Sequence, residues 1–338
     1  MRRLILLVAF LLMSFEGMAQ DPVPLSAASP LQTIEGPFMG DYEGTGSLGG
    51  ENQPLAAQVI VLGGGDYSIK LAPGLYDGSE VLGELKGKRD GGQVTVAGRA
   101  EGARWRGSIK EDVLRGTFGH GGTFDLKRVR RESPTLGAEP PPDAVVLFNG
   151  TSLAHFEHAG GDPQPTPCRW ILLENGAMEV TQGGIISTEV FGDHKVHIEF
   201  RTPLKPEARG QDRGNSGVYL QGRYEVQVLD SYGLAGTDGE CGGIYGVAPP
   251  RINMCFPPLQ WQTYDIEFRA PRFSAEGNKE EHAKLTVWHN GVLIHEDVEV
   301  PNYTTAHVGG VMSEPGPLHL QDHGNPVWYR NIWVVPLQ

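Results

Sequence analysis

Tyr224-Glu225-Val226-Gln227-Val228-Leu229-Asp230 is the stretch on which the fold of this chain turns. Period two puts Tyr224, Val226, Val228 and Asp230 on one face of an extended strand and Glu225, Gln227 and Leu229 on the other. Val196 to Arg201, Gly217 to Gln221, Tyr264 to Arg269 and Leu285 to His289 alternate in the same way. Asn290-Gly291 between Val287-Trp288-His289 and Val292-Leu293-Ile294 is a strong hairpin signal, because a tight two-residue turn needs positive φ at both positions. Many such strands without βαβ spacing predict two packed antiparallel sheets and an all-β protein.

Upstream, shorter alternating runs are separated by glycine-rich turns. They are Gln58 to Leu62, Tyr67 to Leu71, Val94 to Val96 and Thr123 to Leu126. Their spacing predicts a small β-meander or barrel over 33–131. Trp105, between Arg104 and Arg106, is either a sugar platform or, the more usual role of a strand aromatic, core packing. Ser133 to Pro142 is rich in proline and small residues, so 132–143 reads as an extended, semi-rigid linker to a second domain over 144–338.

Residues 1–19 carry a basic start, a short apolar run and small residues before Gln20, the pattern of a secretory signal cleaved near Ala19. That run is too short to span a bilayer comfortably, and the mature chain is expected to be exported, periplasmic or extracellular, without membrane insertion. Lys and Arg number 28 against 41 Asp and Glu, a net charge of -13. Such acidity repels phosphate backbones and anionic lipid, which argues against nucleic acid as a partner and leaves a neutral ligand compatible. Three cysteines, Cys168, Cys241 and Cys255, make no disulfide framework. Cys241 and Cys255, nearest in sequence, are either bridged or buried thiols.

A carboxylate and an amide two residues apart on a strand stand about 7 Å apart, so Glu225 and Gln227 can reach one bound molecule. A solvated strand face is the competing reading. The Gly-rich loop from Ser231 to Gly246, which contains Tyr245, either shapes a cleft or is a surface excursion. Leu318 to Trp333 packs polar and aromatic side chains densely, with Gln321, His323 and Arg330 able to hydrogen-bond hydroxyls and Trp328 able to stack, while Trp333 reads as core. Neither Asp193, His194 and His197 nor His319, Asp322 and His323 has the spacing of a tetrahedral metal site. A structural or catalytic divalent cation, for instance calcium at Thr237 to Glu240, is the one cofactor left open.

Phe148-Asn149-Gly150-Thr151-Ser152-Leu153, His197 to Arg201, Gly214-Asn215-Ser216-Gly217-Val218-Tyr219, Tyr224 to Asp230, Gly243-Ile244-Tyr245-Gly246 and Leu320 to Trp333 occur in the order of one family. In these blocks, spanning 144–338, the chain resembles the 3-keto-disaccharide hydrolase domain family. The resemblance implies a concanavalin A-like jelly roll and a glycoside-cleaving hydrolase with a carbohydrate substrate. A ketone at C3 acidifies the C2 hydrogen, so a base can remove it and expel the C1 group, after which water adds. The resemblance casts Glu225 as base or acid and His323 as its counterpart. Gln227, Asp230, Tyr245, Gln321, Arg330 and Trp328 become substrate contacts. Lys205 to Arg213 and Pro249 to Phe256 depart from the family pattern. The alternative is a non-catalytic carbohydrate-binding or scaffold module, since one sandwich serves either role. A weaker reading gives the sugar contact to the N-terminal domain.

Overall fold

The computed structural model describes residues 36–160 and 165–337, so the segment read as a signal at 1–19 and the first residues of the N-terminal domain lie outside the described residues. Strands β1 (Gly40–Leu48), β2 (Glu51–Gly63), β3 (Asp66–Ala72), β4 (Gly83–Asp90), β5 (Gln93–Ala100), β6 (Ala103–Lys110), β7 (Val113–Phe118) and β8 (Gly122–Val129) form a closed barrel in sequence order. It closes where β1 pairs β8, Asp41 lying opposite Val129. Alternation fills the interior with one face of every strand, including Tyr42, Val59, Ile69, Val94, Leu114 and Leu126. Trp105 belongs to this core: it stacks on Phe118 with ring centroids 4.2 Å apart, and its indole N–H donates to the Ala100 carbonyl at 3.1 Å. Gly107 and Gly116 face each other across β6 and β7 because a Cβ at either would meet the Phe124 ring within 2.9 Å.

The second domain is a sandwich built from β9 (Val145–Phe148), β10 (Phe156–His158), β11 (Ile171–Leu172), β12 (Met178–Glu179), β13 (Ile185–Phe191), β14 (His194–Arg201), β15 (Ser216–Leu220), β16 (Tyr224–Val228), β17 (Gln262–Arg269), β18 (Arg272–Phe273), β19 (Lys279–Glu281), β20 (Ala283–His289), β21 (Val292–Val300), β22 (Gly316–Leu320) and β23 (Trp328–Pro336). One sheet runs β10-β13-β22-β15-β16. The other runs β11-β12-β23-β14-β17-β20-β21, with β9 beside β23, and β18 and β19 form a separate hairpin. The sheets close on Val218, Leu220, Val226, Val228 and Leu320 from one side and Val196, Ile198, Phe200, Ile266, Phe268 and Val334 from the other. Each such side chain contributes about 1.5–3 kcal/mol by leaving water. The β20–β21 turn is the expected one, Asn290 and Gly291 having φ of 51° and 77°. Among the described residues no helix is long and apolar enough to cross a membrane.

The proline-rich segment is a strap rather than a free spacer. Ser133 Oγ lies 2.6 Å from Thr263 Oγ1, Thr135 Oγ1 donates to Asp265 at 2.7 Å, and the Gly137 amide donates to Glu199 at 2.6 Å. Polar side chains on the outer face of the larger sheet supply the partners that composition alone could not reveal. The two domains also exchange side chains. Tyr232, from the loop after β16, sits in the barrel core, while Tyr76, between β3 and β4, packs against the sandwich core. Both hydroxyls reach the buried Asp41 carboxylate, Tyr232 at 2.8 Å and Tyr76 at 3.4 Å.

Candidate functional site

On β16 the inward side chains Tyr224, Val226 and Val228 leave Glu225 and Gln227 on the outer face of the five-stranded sheet. The neighbouring strand β15 sets Tyr219 opposite Glu225 and Gly217 opposite Gln227. Next in the sheet, β22 sets His319 opposite Tyr219, and beyond it the backbone N–H of Gln321 donates to the Gly217 carbonyl at 3.0 Å. Three strands thus deliver Glu225, Gln227, Tyr219, His319 and Gln321 to one face. Loops wall them in, so that Glu225 and Gln227 are buried although they point away from the core.

The half-open cavity, about 90 Å³, is lined by Glu225, Gln227, Tyr219, Gln321, His323 and Tyr245, with Gln211, Asn215, Thr305 and Ala306 completing the wall. The Tyr245 amide donates to the Glu225 carbonyl at 3.3 Å and the Gly243 carbonyl accepts from Gln227 N at 2.9 Å, so the Gly-rich loop runs along the free edge of β16. Thr304 Oγ1 accepts from the Glu225 amide at 3.0 Å along the same edge. Tyr219 donates its hydroxyl to the Thr305 carbonyl at 3.0 Å and accepts from Gln321 Nε2 at 3.1 Å.

Burial pushes the Glu225 carboxyl up to about 7, with the Tyr219 hydroxyl beside it pulling weakly the other way. Gly217 makes its place: a Cβ there would stand 2.5 Å from Glu225 Oε1. His319 is also desolvated, and burial pushes it down to about 4, a neutral imidazole at ordinary pH. A carboxyl poised near neutrality in a cavity walled by amides and hydroxyls can take up or release a proton next to a neutral polyhydroxylated molecule.

Five of the eight residues singled out from sequence come together here: Glu225, His323, Gln227, Tyr245 and Gln321. Asp230, Arg330 and Trp328 do not. Alternation ends at Val228, and the buried Asp230 turns back to accept from Arg213 Nε at 2.7 Å. Arg330 and Trp328 lie on β23 of the other sheet, on the face opposite the inward Tyr329. There Arg330 donates to Glu199 at 2.6 Å over the Trp261 ring, and Trp328 donates to Glu179 at 2.7 Å. Tyr219, Asn215, Gln211 and Thr305 were missed. Period two along Gly217 to Gln221 would have found Tyr219, whereas Gln211 and Thr305 carry no local signal.

Among the described residues no group of three or more His, Cys, Asp or Glu side chains is placed to hold a metal ion. His197 Nδ1 donates to the Asp265 carboxylate at 2.6 Å and its ring stacks on Trp333, and His194 Nδ1 donates to the Gly192 carbonyl at 2.8 Å. Burial by itself lowers the His197 pKa, but Asp265 and Glu199 outweigh it and raise it. The Glu240 carboxylate accepts from the amides of Gly236 at 2.7 Å and Thr237 at 3.0 Å, which ties the loop read as a calcium candidate. Cys241 and Cys255 are buried free thiols.

A sequence model of the 3-keto-alpha-glucoside-1,2-lyase-like domain matches residues 143–335. The chain belongs to this family. A crystal structure from Parabacteroides distasonis, described as a candidate glycosyl hydrolase, is 35% identical and aligns over 58% of this chain and 85% of its own with a TM-score of 0.53. A second from the same organism, described in the same way, is 17% identical over 58% of this chain and 94% of its own, with a TM-score of 0.43. No curated protein matches the chain. Family membership gives the sandwich a carbohydrate-related function; it begins only after the barrel ends.

Proposed function

We propose that the sandwich cleaves a glycoside whose sugar carries a ketone at C3, as an exported enzyme acting on a neutral carbohydrate. The observation that carries this reading is a buried carboxyl, Glu225, opening onto a cavity lined otherwise by amides, hydroxyls and one histidine in a chain of this family.

Glu225 takes the proton from C2, which the neighbouring ketone acidifies, and the electron pair forms the enolate. The C1–O bond then breaks as the C1–C2 double bond forms. His323, at the exposed rim of the cavity, gives the leaving oxygen its proton. The side-chain amide of Gln321, which gives one N–H to the Tyr219 hydroxyl, has a second for the developing enolate oxygen. Addition of water across the double bond yields the hydrolysed 3-keto sugar; release before that step makes the reaction a lyase.

Purified protein is incubated with 3-keto-trehalose, 3-keto-sucrose and a 3-keto-β-glucoside beside the unoxidised sugars, in D2O, with and without chelator, and followed by mass spectrometry. Cleavage confined to the keto sugars, with deuterium entering C2, is the expected result. Saturable binding without cleavage assigns the pocket to a binding module, and the chelator arm reports whether a cation takes part.

A further inference from the structure

Gln211 lies in the segment Lys205 to Arg213, where the chain departs from its family pattern, and its side chain sits at the head of an amide chain. Gln211 Nε2 donates to the Gly239 carbonyl at 2.8 Å. A backbone carbonyl only accepts, so the nitrogen of this amide must face it and Oε1 must face the cavity wall. There Oε1 accepts from Asn215 Nδ2 at 2.8 Å and from Gln227 Nε2 at 3.2 Å. Asn215 Nδ2 is fixed a second time by the Gln211 carbonyl at 3.0 Å.

With both hydrogens of Asn215 Nδ2 and one of Gln227 Nε2 directed at Gln211, Asn215 Oδ1 and Gln227 Oε1 are turned the other way. Both oxygens are buried and have no hydrogen-bond partner, on residues only 1% exposed that line the cavity. A buried acceptor left unpaired costs about 1–3 kcal/mol, so each is stabilised by a hydroxyl donor that reaches it. Among the described residues no lysine or arginine lines the cavity, and Glu225 is its carboxylate, so an anionic sugar meets no counter-charge there.

We propose that Gln211 is the specificity-determining residue of the pocket, holding Asn215 and Gln227 as acceptors so that the site selects a neutral sugar offering a hydroxyl donor to each. This rests on the glycoside reading above. The barrel holds the segment in register: Arg209 Nη2 donates to the Leu62 carbonyl at 3.2 Å, and the Arg213 guanidinium reaches the Val61 carbonyl at 3.4 Å while pairing with Asp230. Gln211 therefore acts through its neighbours, as a positioning residue.

The full chain and its Gln211→Leu variant are compared on 3-keto-trehalose and its monodeoxy analogues at positions away from C1 to C3. The wild type is expected to lose roughly 100-fold or more in kcat/KM for two of the analogues, because a site built to bond a hydroxyl penalises its absence. In Gln211→Leu the penalty for one of the two analogues falls below about 10-fold, mostly through KM, since Gln227 is free to turn while Asn215 keeps the backbone carbonyl of residue 211. The acid limb of its pH profile, set by Glu225, stays in place. A folded Gln211→Leu that keeps the wild-type discrimination overturns the inference while leaving the glycoside reading intact. A wild type that shows no penalty for any missing hydroxyl overturns it with no variant needed, and a wild type that neither binds nor cleaves any keto sugar sinks both.

Discussion

Glu225 keeps its proton to about pH 7 because the loops over β16 strip it of water and, among the described residues, no cation compensates. As a base it works ionised, so kcat/KM for a keto sugar is expected to rise through an acid limb near pH 7. Glu225→Gln removes that limb and slows turnover by roughly 100-fold or more, as measured by initial rates across pH; wild-type turnover in this variant refutes the role. Stability moves the other way. Below about pH 4.5 folded and unfolded carboxyls are both protonated; from there to pH 7 only the unfolded chain ionises, and the folded state loses ground. Glu225→Gln should therefore gain little stability at pH 4.5 and at most about 3 kcal/mol at pH 8, read from urea unfolding at both values. His323→Ala, at the rim, should lower kcat with little change in melting temperature.

Strand β15 serves the site by what it omits. A side chain at Gly217 would press on Glu225 Oε1 and, at 2.8 Å, on the buried Tyr219 ring, so Gly217→Ala is expected to reduce kcat at least about 10-fold and to cost about 1–3 kcal/mol, read from initial rates and denaturant titration. At the β20–β21 turn the same substitution has another outcome. Gly291 has φ of 77° and a Cβ there would stand 2.3 Å from Pro134 of the strap. Gly291→Ala should cost about 1–3 kcal/mol of stability, measured by denaturant titration, without altering the pH profile. The turn was readable from Asn290-Gly291 because its chemistry is local. The strap was not: Thr135 and Gly137 find Asp265 and Glu199 only after β14 and β17 have paired.

Barrel and sandwich meet through mutual insertion of tyrosines rather than through a flat interface. Tyr232 fills the barrel end, and its hydroxyl satisfies Asp41, whose pKa burial raises against the opposing pull of Tyr232 and Arg131. The chain is expected to melt in one transition. Tyr232→Ala should cost about 3–5 kcal/mol and separate the melt into two, observed by scanning calorimetry; a single unshifted transition would show that the junction contributes nothing. Since Arg213 and Arg209 hang the Gln211 segment from the end of β2, the barrel is part of the apparatus that shapes the pocket, which its lack of any recognisable catalytic cluster concealed.

Alternation of apolar and polar residues by itself determined the strands, their buried faces and the all-β class, because burial of one strand face is a period-two property written along the chain. It also placed Glu225 and Gln227 on one side of β16, while the dense polar stretch near the end offered Gln321 and His323, and the family blocks added Tyr245. Which of the polar residues near the end share that side was decided only by the tertiary structure. Gln321 and His323 follow β22, beside β15, whereas Arg330 and Trp328 on β23 belong to the opposite sheet, a few residues along the chain and a whole core away. The same holds for Gln211, which meets Gln227 only because β2 of the barrel pins its loop beside β16. Sheet membership and loop docking are set by contacts between residues far apart in sequence, and no local pattern encodes them.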